Sequence, residues 1–140
     1  MIVSPGAVVP LTPDPNTHIK IAVDTPMKRF YEEHVTLLDR RDFETLVRTH
    51  YHEDARIVST EYLVNGHAEL FKHFAKYTGL MDYLKVVSTD KWIESEATFA
   101  FEATARTQWG LTRVHDAFWL RDGRIIRHFT GSIPLVRFVR

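Results

Sequence analysis

The chain has 140 residues, 44% of them hydrophobic and 26% charged, with eighteen basic residues balancing eighteen acidic ones. That length supports one domain with its own core, and the balanced charge leaves no electrostatic footprint for nucleic acid or an anionic membrane. The absence of cysteine excludes disulfides, thiolate metal sites and a cysteine nucleophile.

Five of the six prolines (Pro5, Pro10, Pro13, Pro15 and Pro26) fall in the first 26 residues. Proline fixes φ and removes a backbone donor, so residues 1–23 read as an extended arm ahead of a single domain at 24–140. This stretch lacks a basic segment followed by an apolar one, and no apolar run approaches the ~20 residues of a membrane span. A soluble cytoplasmic protein is the expectation. A first helix starts at Thr25, a capping residue followed by Pro26, and Met27, Phe30, Tyr31, His34, Leu37 and Leu38 form its inward stripe at helical spacing. Asp42 caps a second helix with Phe43, Leu46 and Val47 inward, and His50-Tyr51 at its end as further inward candidates. A short strand at 55–60 follows. Asn65-Gly66 then opens a third helix with Leu70, Phe71, Phe74 and Tyr77 or Thr78 inside. A long strand at 82–94 precedes three more at 97–107, 111–120 and 124–133. The order predicts an α+β fold, helices gathered on one face of a curved antiparallel sheet.

The turns between the last strands decide which side chains share a face. Gln108-Trp109-Gly110 and Arg121-Asp122-Gly123 both suit three-residue loops that end in a left-handed glycine. With both loops in that form, Glu102 lies opposite Asp116 and Asp116 opposite His128, with β-carbons about 4.5–5.5 Å apart. Two carboxylates and an imidazole so placed can share protons. A two-residue Asp122-Gly123 turn is the alternative; it sets Phe129 against Asp116 and sends His128 to the other face.

This order and its local signatures resemble the nuclear transport factor 2-like superfamily, in its SnoaL-like and ketosteroid isomerase-like branch. The matching segments are Asp39-Arg40-Arg41-Asp42-Phe43-Glu44, Tyr51-His52-Glu53-Asp54-Ala55, Asn65-Gly66-His67 and the hairpin from Asp116 to Ile125, spread over residues 26–133. The resemblance implies a cone, in which the sheet curls around an internal pocket closed by three helices. It implies a homodimer through the convex sheet face, no cofactor and no metal. It also implies that the positions of Asp116 and His128 line the pocket, in agreement with the three-residue turns. Several family features are missing. The isomerase base falls on Ser59, its pocket tyrosine on His34, and the epoxide hydrolase acid on Thr130. The dehydratase histidine of the second strand has no counterpart in Val86-Val87-Ser88-Thr89.

Asp116, His128 and His34 are therefore the candidate catalytic residues, with His128 as a base oriented by Asp116, and protonated Asp116 or His34 as a donor to a developing enolate. Glu102, Thr104, Arg106, Ser59, Phe118 and Thr130 are the candidate substrate-binding residues, with Glu102 coupled to Asp116 and Arg106 holding a polar substrate group. His50, His52, Glu53 and Asp54 resemble metal ligands but sit at a helix end, where charged side chains are usually solvated. The implied activity is cofactor-independent proton transfer on a mostly apolar carbonyl compound such as a polyketide, terpenoid or steroid-like intermediate. Isomerisation, aldol-type cyclisation and water elimination all belong to that class. A non-catalytic binding or assembly module and an epoxide hydrolase using Glu102 and Asp116 are the alternatives, because one fold hosts many functions.

Overall fold

Thr25 starts α1 (Pro26–Asp39) by accepting the Lys28 amide on its hydroxyl at 3.1 Å, and Asp42 starts α2 (Phe43–His50) by accepting the Thr45 amide at 3.2 Å. These are the N-terminal caps that the sequence pattern predicts. The computed structural model describes residues 23–138, the side chain of Thr78 excepted, so the proline-rich arm lies outside the described residues apart from Val23. After α2 come β1 (Tyr51–Val58), β2 (Leu63–Asn65), α3 (Gly66–Leu80), β3 (Lys85–Glu94), β4 (Thr98–Thr107), β5 (Gly110–Arg121) and β6 (Arg124–Arg137).

The six strands form one curved, unclosed sheet in the order β2-β1-β6-β5-β4-β3, with the three helices beside it in an α+β arrangement. One expectation needs correction here. The sheet is mixed, because β1 runs parallel to β6. A parallel pair needs a long crossover, and α3 with β2 through β5 supplies it. The short β2 strand pairs antiparallel with β1 and had no signal in the sequence reading.

The inner face of the sheet and the inward faces of the helices share one aromatic-rich core that includes Tyr31, Leu46, Tyr51, Leu70, Phe74, Trp92, Phe99, Phe101 and Phe118. Tyr31 of α1 packs on Phe101 and Trp92, with ring centroids 4.4 and 5.3 Å away. Phe74 of α3 packs on Tyr51 of β1 at 5.9 Å. These contacts leave a hollow between the helices and β5–β6.

The two hairpins fix what faces that hollow. At the β5–β6 turn Arg121 pairs with Arg124, so the loop is the two-residue Asp122-Gly123, with φ of 53° and 76°. Positive φ at both central residues is the turn that matches strand twist. By itself this turn would send His128 outward. A bulge follows at once: Leu120 faces Ile125 but Trp119 faces Arg127, leaving Ile126 as an extra residue on β6. The extra residue shifts the register by one, so Asp116 pairs with Thr130 and Phe118 with His128. Asp116 and His128 are thus diagonal neighbours on one face, not directly opposite as the three-residue turn predicts.

At the β4–β5 hairpin Thr107 pairs with Gly110, a two-residue Gln108-Trp109 loop, and the strands then run without a register shift. Phe101 therefore faces Asp116, and Glu102 faces His115 on the opposite side of the sheet. The slip is uncorrected here, and every side chain of β4 changes face relative to the expectation. Gly110 has a different task from the one assigned to it. Its φ is 146°, and a β-carbon there would strike the carbonyl of Val136 on β6. Glycine lets that backbone approach closely.

Candidate active site

Asp116 on β5, His128 on β6 and Tyr51 at the start of β1 form a connected chain of hydrogen bonds in the hollow. Asp116 Oδ1 lies 2.6 Å from His128 Nε2, and the Tyr51 hydroxyl lies 2.9 Å from His128 Nδ1. The Asp116 and His128 side chains are 9% and 10% exposed. Tyr51 is wholly buried. Burial, and then the negative charge of Asp116, pushes the Tyr51 phenol well above its ordinary range, so it stays protonated. Its hydroxyl is therefore available as a donor to Nδ1 of His128, and the ring's Nε2–H then donates to the Asp116 carboxylate. The short Nε2–Oδ1 distance is that of a charge-assisted bond.

The two side chains of the pair differ in what this geometry leaves free. Both ring nitrogens of His128 are already engaged, so His128 has no lone pair left for a substrate. Asp116 Oδ2, in contrast, has no hydrogen-bond donor among the described residues. Oδ2 is thus the acceptor of the pair that is left without a partner there, and Asp116 borders the cavity.

The cavity at this point has a volume of about 130 Å³, and Tyr31, His34, Phe74, Phe101, Asp116 and His128 are among its walls. It continues into a groove of about 730 Å³ on the sheet's concave side, sharing Tyr62, Tyr77, Leu84 and Thr130 with it. The deep part falls below the roughly 300–1,000 Å³ of sites for drug-sized ligands. It suits one ring-sized apolar group, and the groove has room for the rest of a larger molecule.

His34 reaches the cavity from α1, next to Phe118 at a ring-centroid distance of 5.0 Å. Burial, and then the neighbouring imidazoles of His50 and His128, hold its pKa well below the ordinary histidine range. It is neutral at neutral pH. Where cavity and groove meet, the Tyr77 hydroxyl lies 3.4 Å from His73 Nε2, and the Tyr62 ring packs on His73 at 5.0 Å. Burial raises the pKa of both tyrosines, which keeps them as hydroxyl donors.

Asp116, His128, His34, Phe118 and Thr130 of the expected set all border the cavity, and Ser59 borders the outer groove. Glu102, Thr104 and Arg106 do not join them. Glu102 is paired with Lys91 at 2.9 Å, Thr104 donates to Asp90 at 2.8 Å, and Arg106 lies 3.3 Å from the Tyr83 hydroxyl. All three stand on the convex face, while Phe99, Phe101, Ala103 and Ala105 point inward. The two-residue β4–β5 turn is the reason. It also separates Glu102 from Asp116, so the acid pair required for epoxide hydrolysis is not assembled. His50 is buried against His34, as its inward position at the end of α2 implies, and is not solvated as a helix-end residue would be. His52 lies at the surface beside Asp54, 4.0 Å away, and among the described residues no three such side chains converge as a metal site would.

Tyr51 is the member of this hydrogen-bonded chain that sequence reasoning misses. Its place on the inward side is legible, but its contact with His128 depends on the parallel β1–β6 pairing, for which the local sequence has no signature. Tyr62 and Tyr77 are missed for a related reason, since their meeting depends on how β2 and α3 fold back.

No protein-family model matches this chain, and no curated protein matches it by sequence. Solved structures do match. An NTF2-like protein of unknown function from Burkholderia pseudomallei superimposes with a TM-score of 0.69 over 77% of this chain and 91% of that one, at 14% identity. A provisionally assigned polyketide cyclase from Sinorhizobium meliloti gives 0.66 over 77% and 100%, at 12% identity. TerC, crystallised with polyporic acid, gives 0.64 over 76% and 91%, at 16% identity. The chain therefore has the nuclear transport factor 2-like fold. At such identities the likeness establishes the fold alone.

Proposed function

We propose that this chain is a cytoplasmic, cofactor-independent acid–base enzyme of the SnoaL-like kind. It moves a proton next to the carbonyl of a mostly apolar, ring-bearing compound. The observation that carries this reading is the Asp116–His128–Tyr51 chain, a nearly buried carboxylate with one oxygen fixed by an imidazole and the other without a partner among the described residues. A carboxylate in an apolar cavity is costly unless partnered, and here the partners leave one acceptor unused. Asp116 Oδ2 takes the proton, and His128 holds the carboxylate in place and stabilises its charge. In this reading the hydroxyls of Tyr62 and Tyr77, which border the same cavity and are kept protonated by burial, donate to the oxyanion as it develops. Isomerisation, aldol-type cyclisation and elimination of water share this first step. The ligand-bearing and provisionally assigned neighbours fit a ring-shaped substrate, and the small deep cavity fits a single ring of it.

Turnover of ring-bearing ketones by Asp116→Asn and His128→Ala tests the assignment. Both variants should lose nearly all activity while retaining their fold by circular dichroism, whereas Glu102→Gln, on the outer face, should retain it. A binding module would be indicated by a ligand that binds the native protein unchanged and binds Asp116→Asn equally well.

The same reading has two copies meet through the convex face. Ile93, Trp119, Phe129 and Ile133 are all about half exposed on that side of β3, β5 and β6. Phe99, Phe101, Ala103 and Ala105 of β4 point inward and take no part in this face. Light scattering should give twice the 16.3 kDa chain mass, and Phe129→Glu should return it to one.

A further inference from the structure

A second run of titratable groups reaches the cavity from behind its helical wall. Nδ1 of His34 lies 3.2 Å from Nδ1 of His50, and both rings are buried. On the far side of His50, Nε2 lies 3.7 Å from Oε1 of Glu33, whose side chain is 66% exposed. The His50 ring is held flat against Phe30, with centroids 4.1 Å apart and planes 24° apart. Solvent, Glu33, His50, His34 and the cavity therefore follow one another in line.

Tautomers along this line follow from simple counting. Only one hydrogen fits between the two Nδ1 atoms, so one ring donates and the other accepts. The Glu33 carboxylate favours a hydrogen on Nε2 of neutral His50. Nδ1 of His50 is then bare and accepts, and Nδ1 of His34 carries the donated hydrogen. Nε2 of His34 is left with a lone pair, and it has no partner among the described residues although the ring borders the cavity. The groups that face His34 from the elements around it are His50 on α2, Tyr51 on β1 and His128 on β6. None of them supplies a hydrogen to Nε2.

We propose that Glu33 and His50 are positioning residues that hold His34 in the tautomer with a bare Nε2 beside the cavity, and that they release one proton to solvent for each proton accepted there. The proposal rests on the cavity being the reaction site, and it makes His34 a proton acceptor in the resting protein instead of the donor suggested by its sequence position. The transfer balances. Nε2 of His34 takes a proton from the bound compound, and the Nδ1 hydrogen of His34 passes to Nδ1 of His50. The Nε2 hydrogen of His50 then passes to the Glu33 carboxylate, which releases it to water. One proton enters at Nε2 of His34 and a different one leaves at Glu33. Both rings end in the opposite tautomer, and the same steps in reverse restore the resting one when Nε2 of His34 returns its hydrogen to the product. At 3.7 Å the last gap exceeds a direct hydrogen bond, and the exposed Glu33 side chain closes it by a rotamer change. The lowered pKa of His34 and of His50, set first by burial in each case, keeps both rings neutral between transfers.

Nitrogen-15 NMR of the histidine rings tests this without any substrate, so its outcome is separate from whether Asp116 turns over a carbonyl compound. In the native protein at pH 7.5, His34 should show a protonated Nδ1 and an unprotonated Nε2, and His50 the opposite. Glu33→Ala removes the carboxylate and Glu33→Lys opposes a hydrogen on Nε2 of His50; both change an exposed side chain. Each should move the His34 Nε2 resonance toward the protonated position, the lysine variant further, with the backbone amide spectrum otherwise retained. A native His34 carrying its hydrogen on Nε2, or ring resonances unchanged in both variants, overturns the proposal.

Discussion

Replacing Tyr51 by phenylalanine removes one oxygen atom from a fully buried site and leaves the ring packing on Phe74 and His34 in place. The oxygen lost is the one 2.9 Å from His128 Nδ1. A buried hydrogen bond contributes about 0.5–1.5 kcal/mol net, but leaving its partner buried and unsatisfied costs about 1–3 kcal/mol. His128 Nδ1 has no substitute partner among the described residues, so the upper range applies. Unfolding entropy of about 2.1 cal/mol/K per residue over the 140 residues makes each kcal/mol worth roughly 3–4 °C. Tyr51→Phe should therefore lower Tm by about 4–10 °C in differential scanning calorimetry. Tyr83→Phe is the control, since the Tyr83 hydroxyl contacts Thr107 and Arg106 at the surface and its loss should cost under about 0.5 kcal/mol. A Tm for Tyr51→Phe equal to that of the control would refute the reasoning, because His128 would then not depend on Tyr51.

Stability should also fall on mild acidification. His34, His50 and His73 all have folded pKa values below 6.5, each lowered first by burial. Below pH 6.5 the unfolded chain binds protons that the folded chain does not, so stability is full above that pH and declines as pH drops toward the folded values. Each such histidine contributes at most about 1.4 kcal/mol per pH unit; urea midpoints between pH 7.5 and 5.5 measure the slope, and a flat or rising profile would contradict it. The two hairpin glycines should separate cleanly in the same assay. Gly123→Ala meets no atom within 4 Å and carries only the left-handed backbone cost of about 1–2 kcal/mol, whereas Gly110→Ala also drives a methyl group into the Val136 carbonyl and should cost more.

Helix starts were legible because capping is local: Thr25 and Asp42 each act on an amide three residues away. The inward stripe of α1 was legible for the same reason, although Lys28 joins Tyr31, His34 and Leu37 among its buried residues. Sheet register was not. Asp122-Gly123 forms the two-residue turn its dipeptide favours, yet the bulge at Ile126 cancels its effect, so Asp116 and His128 share a face by two compensating steps. A bulge of this kind depends on how Ile125 and Ile126 both bury, which no turn motif encodes. At β4–β5 there is no compensation, and Glu102, Thr104 and Arg106 leave the cavity for the convex face. The Glu102 position shows the general point, since alternation along β4 fixes which residues go together and says nothing about which set faces inward. The His34–His50 contact joins two helices through tertiary packing alone, and spacing within either helix could not have shown it.

The central claim is that Asp116 moves a proton next to a carbonyl, and the most direct measurement is hydrogen–deuterium exchange at the α-carbon of small cyclic ketones in deuterium oxide, followed by proton NMR. The native protein should accelerate exchange for ketones that fit one ring into the deep cavity, and Asp116→Asn should reduce the rate to that of buffer. Exchange no faster than buffer across the ketone series, or equal rates for the native protein and Asp116→Asn, would contradict the account.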